Sequence, residues 1–163
     1  MTESYSIRVT KDYLVFSAAH FVTFSNHDCE RLHGHNYRVA AEIVGPLDEN
    51  HFVVDFVAVR EALKLLVDEL DHHVLLPTSH PQIQVEADAR RVRATYADRE
   101  WIFPREDCVL LPVPNTTAEL IARYLGQRLL DALEIRTGAR PRHLRLAVDE
   151  CEGQWGICEL IDE

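Results

Sequence analysis

The chain has 163 residues, 47% of them hydrophobic, and a formal net charge of −10. That length suits one domain, spanning 1–163, with a substantial buried core, and the acidic balance excludes a general nucleic-acid binder, which needs a basic surface to displace counterions. No apolar run reaches the roughly 18 residues of a membrane span, and residues 1–7 lack a basic start followed by an apolar stretch, so neither a membrane helix nor a signal peptide is expected and the location reads as cytoplasmic.

In chain order, residues 4–18 read as a strand (Ile7, Val9, Tyr13, Val15) broken by a bulge or turn near Lys11-Asp12. Residues 35–44 read as its partner, ended by Gly45-Pro46. A helix follows over 56–70, where Phe56, Val59, Leu63, Leu66, Val67 and Leu70 make one apolar stripe and Asp55 stands as N-cap. Residues 77–114 carry short alternating runs (Ile83-Val85-Ala87, Val92-Ala94-Tyr96, Trp101-Phe103, Val109-Leu111) and read as a β-hairpin insert, because structureless loops of that length are uncommon. A second helix runs over 117–135 (Leu120, Ile121, Tyr124, Leu125, Leu129, Leu130, Leu133). Thr116 and Glu119 are spaced as a capping box, and Gly138 and Pro141 end the unit. Residues 143–150 and 155–161 read as the last two strands, joined at Glu152-Gly153-Gln154. The order ββααββ predicts an α+β layer: an antiparallel sheet with two helices on one face.

The chemistry concentrates in residues 20–35. His33 and His35 are two apart at the head of a strand, so both imidazoles share a face. His20 ends the earlier strand and reaches the same point from a neighbour. Three neutral nitrogen ligands with an open fourth position are the pattern of a catalytic zinc. Cys29 stands close by as a candidate nucleophile or base; Cys108, Cys151 and Cys158 lack such a setting, and no CxxC pair exists. His51, His80 and His143 read as ordinary surface histidines, and His27 as a solvated loop residue.

Several segments in order resemble the 6-pyruvoyl-tetrahydropterin synthase superfamily, which includes the 6-carboxy-tetrahydropterin synthases of queuosine biosynthesis. They are 16–20 (Phe-Ser-Ala-Ala-His), 29–37 (Cys-Glu-Arg-Leu-His-Gly-His-Asn-Tyr), Asp55-Phe56, 70–73 (Leu-Asp-His-His), 115–119 (Asn-Thr-Thr-Ala-Glu), and Glu150 with Trp155 downstream. The resemblance implies a T-fold with a four-stranded antiparallel sheet, assembled as trimers or hexamers. It implies zinc on His20, His33 and His35, with Cys29 and the pair Asp71-His72 as proton-transfer groups. It places Glu150 on the pterin ring, with Thr117 and Glu119 nearby, while Asp149 and Glu152 read as solvated. The implied substrate is 7,8-dihydroneopterin triphosphate, with Arg31, Arg38 and Lys11 as candidates for the triphosphate.

Cys29 lies four residues before His33, the spacing of the carboxy-type branch. The expected reaction is therefore formation of 6-carboxy-5,6,7,8-tetrahydropterin with release of acetaldehyde and triphosphate. The alternatives are the pyruvoyl-type elimination of triphosphate, or a T-fold that binds a pterin or purine without turnover. A glutamate-bearing branch is disfavoured by Cys29. Helix capping would explain Glu119 without a ligand, and a helix C-terminal cap would explain His72.

Overall fold

The computed structural model describes residues 2–24 and 28–162. In chain order the elements are β1 (Tyr5–Val9), β2 (Val15–His20), β3 (Thr23–Phe24), β4 (Asp28–Cys29), β5 (His33–Gly45), α1 (Phe56–Asp68), β6 (His73–Pro77), β7 (Gln84–Ala87), β8 (Arg91–Tyr96), β9 (Arg99–Pro104), β10 (Cys108–Leu111), α2 (Ala118–Thr137), β11 (His143–Cys151) and β12 (Gln154–Ile161).

β1 and β2 both pair antiparallel with one edge of β5, Val9 lying opposite Ala41 and Val15 opposite Arg38. They are the single interrupted strand expected from the sequence. At the break, Leu14 N donates to Lys11 O, while Leu14 O accepts from Val39 N and keeps the ladder aligned. β11 takes the other edge of β5, and β12 returns beside it across a turn where Gly153 adopts φ +86°.

The sheet does not stop at four strands. β6 joins β2 in parallel and β10 joins β6 in parallel. The end of α1 delivers the chain to the free edge of β2, where Ser17 N donates to Asp71 Oδ1 and His72 N donates to Ser17 O. An unpaired strand edge is a template for further pairing. The run at Val74-Leu75-Leu76 is too short for its periodicity to announce a strand.

α1 and α2 cover one face. Asp55 caps α1 by accepting from Val57 N at 2.9 Å. The stripe Val59, Ala62, Leu63, Leu66 and Val67 meets Ile121, Ala122, Leu125, Leu129 and Leu133 of α2, over Phe16, Tyr37, Val39, Ile43, Leu144, Leu146 and Val148 of the sheet. Each large side chain so buried stabilises by roughly 1.5–3 kcal/mol. α2 ends at Gly138 with φ +75°, as expected of an αL cap.

The start of α2 differs from expectation by one residue. Thr117 is the cap, accepting from Leu120 N at 3.4 Å, while Thr116 is buried and donates its hydroxyl to Phe21 O at 3.2 Å. Glu119 is then the second helical residue and cannot close a capping box.

The insert is more than a hairpin. β7, β8 and β9 form a three-stranded antiparallel sheet. Its inner face builds a second core from Val92, Ala94 and Tyr96 with Ile83 just before β7 and with Phe21, Leu76 and Cys108. Among the described residues, no helix is long and apolar enough to cross a membrane.

Candidate metal centre and pterin cavity

The β2–β5 register sets His20 opposite His33 and Ala18 opposite His35. Alternation puts His20 on the helix-facing side with Phe16 and Ala18, and His33 and His35 on that side with Tyr37. The three rings meet edge to face, with centroids 4.9 Å (His20–His33), 5.3 Å (His20–His35) and 4.8 Å (His33–His35) apart. One ring nitrogen from each lies within 4.8 Å of the others. Gly34, between two of them, faces Ala18 O, which a Cβ there would approach to 3.2 Å.

The donor set fits a cation. His20 Nδ1 lies 2.8 Å from Thr116 O and His33 Nδ1 lies 2.8 Å from Arg31 O. A carbonyl only accepts, so each Nδ1 carries the proton and each Nε2 presents a lone pair. Those lone pairs face carboxylates: Glu150 Oε1 is 3.4 Å from His20 Nε2, and Glu30 Oε2 is 3.8 Å from His33 Nε2. The Tyr37 hydroxyl, 3.2 Å from His20 Nε2, can donate to that lone pair, and a positive ion among the three rings would satisfy the nitrogens and the facing carboxylates together. Burial, with His20 only 1% exposed, holds its pKa down to about 4 and keeps the ring neutral, as a metal ligand must be.

A cavity of about 310 Å³ is lined by Val22, Thr117, Ala118, Glu119, Glu150 and Gly156, among others. All three residues assigned to pterin binding on resemblance therefore line one cavity, and Glu150 joins it to the histidines. Gly156 shapes this cavity, since a Cβ there would lie 2.6 Å from Ala118 C, Ala118 Cβ and Glu119 N. Asp149, expected in solvent, is 3% exposed and accepts from Gly153 N and Gln154 N, fixing the turn below the cavity.

Cys29 lies in β4 opposite Thr23, half-buried against the insert's core. Its Sγ is 3.6 Å from Glu30 O. Burial raises its pKa, and the Arg99 guanidinium partly opposes that rise. That arginine comes from the insert, 70 residues away in sequence, and no local pattern announces it. Glu30 was also passed over, although it stands next to Cys29. Its carboxylate accepts from Val22 N at 3.2 Å and reaches the cluster. His27 lies outside the described residues.

Asp71 and His72 are paired, His72 Nδ1 lying 2.8 Å from Asp71 Oδ2. The His72 side chain is 82% exposed and its φ is +60°, a backbone conformation uncommon outside glycine and asparagine. It caps no helix, since Glu69 ends α1. The Ser17 N bond, and after it the pairing with His72, hold the Asp71 carboxyl below its usual range against the opposing effect of burial. His72 lines a separate cavity of about 420 Å³ with Ser17, Gly34, Asn36 and His35. The first cavity meets the cluster at His20 through Glu150, whereas the second is lined largely by residues such as Ser17, Ala19 and Asn36 that alternate onto the other face of the sheet. Of the candidate triphosphate groups, Arg31 adjoins His33. Arg38 alternates onto the uncovered face of the sheet, and Lys11 sits in the exposed turn.

Comparison with known proteins bears on this arrangement. A profile described as 6-pyruvoyl tetrahydropterin synthase matches residues 8–160. A putative 6-carboxy-5,6,7,8-tetrahydropterin synthase from Methanocaldococcus jannaschii is 34% identical over 146 residues, covering 89% of this chain and 88% of its own. A 6-carboxy-5,6,7,8-tetrahydropterin synthase from Aquifex aeolicus is 31% identical over 105 residues, covering 64% of this chain and 60% of its own. Among solved structures, the 6-pyruvoyl tetrahydropterin synthase of Plasmodium falciparum superposes with a TM-score of 0.90 at 27% identity, covering 99% of this chain and all of that one. With nearly the whole chain matched in sequence and in fold, this protein belongs to the 6-pyruvoyl tetrahydropterin synthase family.

Proposed function

We propose that the protein is a zinc-dependent lyase converting 7,8-dihydroneopterin triphosphate and water to 6-carboxy-5,6,7,8-tetrahydropterin, with release of acetaldehyde and triphosphate. The observation that carries this reading is the three-imidazole cluster, with one ring nitrogen from each residue within 4.8 Å of the others, abutting a cavity that contains Glu150. The names of the M. jannaschii and A. aeolicus relatives and the Cys29–His33 spacing support the carboxy-type product.

His20, His33 and His35 would hold zinc, which would supply Lewis acidity to the substrate's side-chain hydroxyls. The remaining work falls to the chain. The Glu150 carboxylate accepts two parallel hydrogen bonds from the pterin N3–H and 2-amino group, as a carboxylate does from arginine. Thr117 and Glu119 line the ring's cavity. Cys29 takes a proton as thiolate, and His72, oriented and charge-stabilised by Asp71, handles the second transfer. In this reading the protein works in the cytoplasm as a homo-oligomer of T-fold subunits, a trimer or hexamer. The uncovered sheet face, with Val15, Trp155 and Ile157 exposed, supports assembly.

Mass spectrometry of products from zinc-loaded protein and dihydroneopterin triphosphate tests this. A 6-carboxy product with acetaldehyde is expected. A 6-pyruvoyl product would move the protein to the other branch, and zinc binding without turnover would leave a pterin-binding protein.

A further inference from the structure

The insert touches the candidate site at two points. Trp101 of β9 stacks on Phe21, the residue after His20, with centroids 4.4 Å apart and planes at 16°. Arg99 lies over the Trp101 ring, its Cζ 4.6 Å from the centroid. From there Nη1 donates to Cys29 O at 2.7 Å and Nη2 donates to Glu30 O at 3.1 Å. A planar guanidinium places two donors in fixed relation, so two successive carbonyls held by one fork lose their freedom to rotate. The stack on Trp101 fixes the fork in turn.

We infer that Arg99 is a positioning residue: through these two carbonyls it holds the Cys29–Glu30 segment against the histidine cluster. The insert is then a clamp on the reacting end of the molecule. Among the described residues, the segment is otherwise held by the short β3–β4 ladder, two residues in each strand. Beyond them Glu30 N bonds Val22 O and the Glu30 carboxylate takes Val22 N. The inference rests on the proposed role of Cys29.

The test uses the full-length zinc-loaded protein and two variants. Arg99→Met keeps the apolar stem over Trp101 and removes the donors. Arg99→Lys keeps the charge but replaces the planar two-nitrogen fork with a single ammonium nitrogen. Steady-state turnover of dihydroneopterin triphosphate, zinc content, and peptide-resolved amide hydrogen exchange are measured on each. For Arg99→Met, kcat falls by roughly ten- to a hundredfold with KM within about twofold. Zinc stays at the wild-type level, exchange quickens only in peptides spanning 20–33, and Arg99→Lys recovers part of each change. Wild-type kcat and exchange in Arg99→Met would overturn the inference. So would faster exchange across the whole chain, which would make Arg99 a general stabiliser. If the wild type itself does not turn over, the proposed reaction fails, and the exchange data still decide whether Arg99 holds the segment.

Discussion

The helix-backed sheet and the insert sheet are built to different standards. In the first, two amphipathic helices and four antiparallel strand positions close a continuous core in which Leu63, Ile121, Leu125 and Leu129 have no exposure. In the second, three short strands contribute the buried Val92, Ala94 and Tyr96 with the partly buried Val85, Trp101 and Phe103, and borrow Phe21, Leu76, Ile83 and Cys108 from outside the strands. Its outer face carries exposed ion pairs, Arg93 with Glu86 and Glu100, of the kind that contribute about 0–1 kcal/mol. The insert therefore depends on the main body for its folding. The lesson is a division of labour: the rigid sheet aligns three histidines to one point, and the thinner sheet holds the neighbouring loop.

The largest expected effect lies on the rigid side. His33→Ala removes a nitrogen donor at the rim of the cluster, and zinc measured by atomic absorption falls from about one ion per chain to near none, with activity lost alongside it. Unchanged zinc would break the assignment of the metal to the main sheet. Next come paired truncations. Leu125→Ala loses about 2–5 kcal/mol in urea unfolding, whereas Val92→Ala in the insert loses about 1–3 kcal/mol. Equal losses would mean that the two cores are one cooperative unit of uniform strength.

Gly156→Ala sharpens the comparison where α2 meets β12. Its new Cβ would collide with Ala118 and Glu119, so the helix start must shift. A cost of about 1–3 kcal/mol is expected, with KM for the pterin substrate raised more than stability alone explains. Steady-state kinetics beside thermal unfolding separates the two.

The smallest effect concerns pH and the insert. His80 Nδ1 accepts from Gln82 N at 2.9 Å and Ile83 N at 2.8 Å, so Nε2 bears the proton and meets Thr23 Oγ1 at 2.7 Å. Burial lowers the His80 pKa from 6.5. Between the folded and unfolded values the unfolded chain binds more protons, so stability rises with pH in that window. The contribution is present above about 6.5 and is lost as pH falls below it. The stability advantage of wild type over His80→Gln should shrink between pH 7.5 and 5.5; a constant advantage would show that the ring's protonation does not matter to the contact.

His80 also shows where sequence reading stops. It read as a surface histidine because its partners, Thr23 and two local amides, are set by how the insert docks. The same holds for Asp149, turned inward by the Gly153 bend, and for Thr116, drawn from its capping role to Phe21 O. Only tertiary structure decided the parallel additions of β6 and β10, since pairing to a free edge depends on where α1 returns the chain. Only tertiary structure brought Arg99 to Cys29, because that contact crosses about seventy residues of chain. By itself the sequence determined the two helices, the four antiparallel strand positions and the shared face of His33 and His35, which the β2–β5 register then brings opposite His20. Each rests on a short-range period, 3.6 for the helices and 2 for the strands. That period is physical: it fixes which side chains share a face before any long-range contact forms.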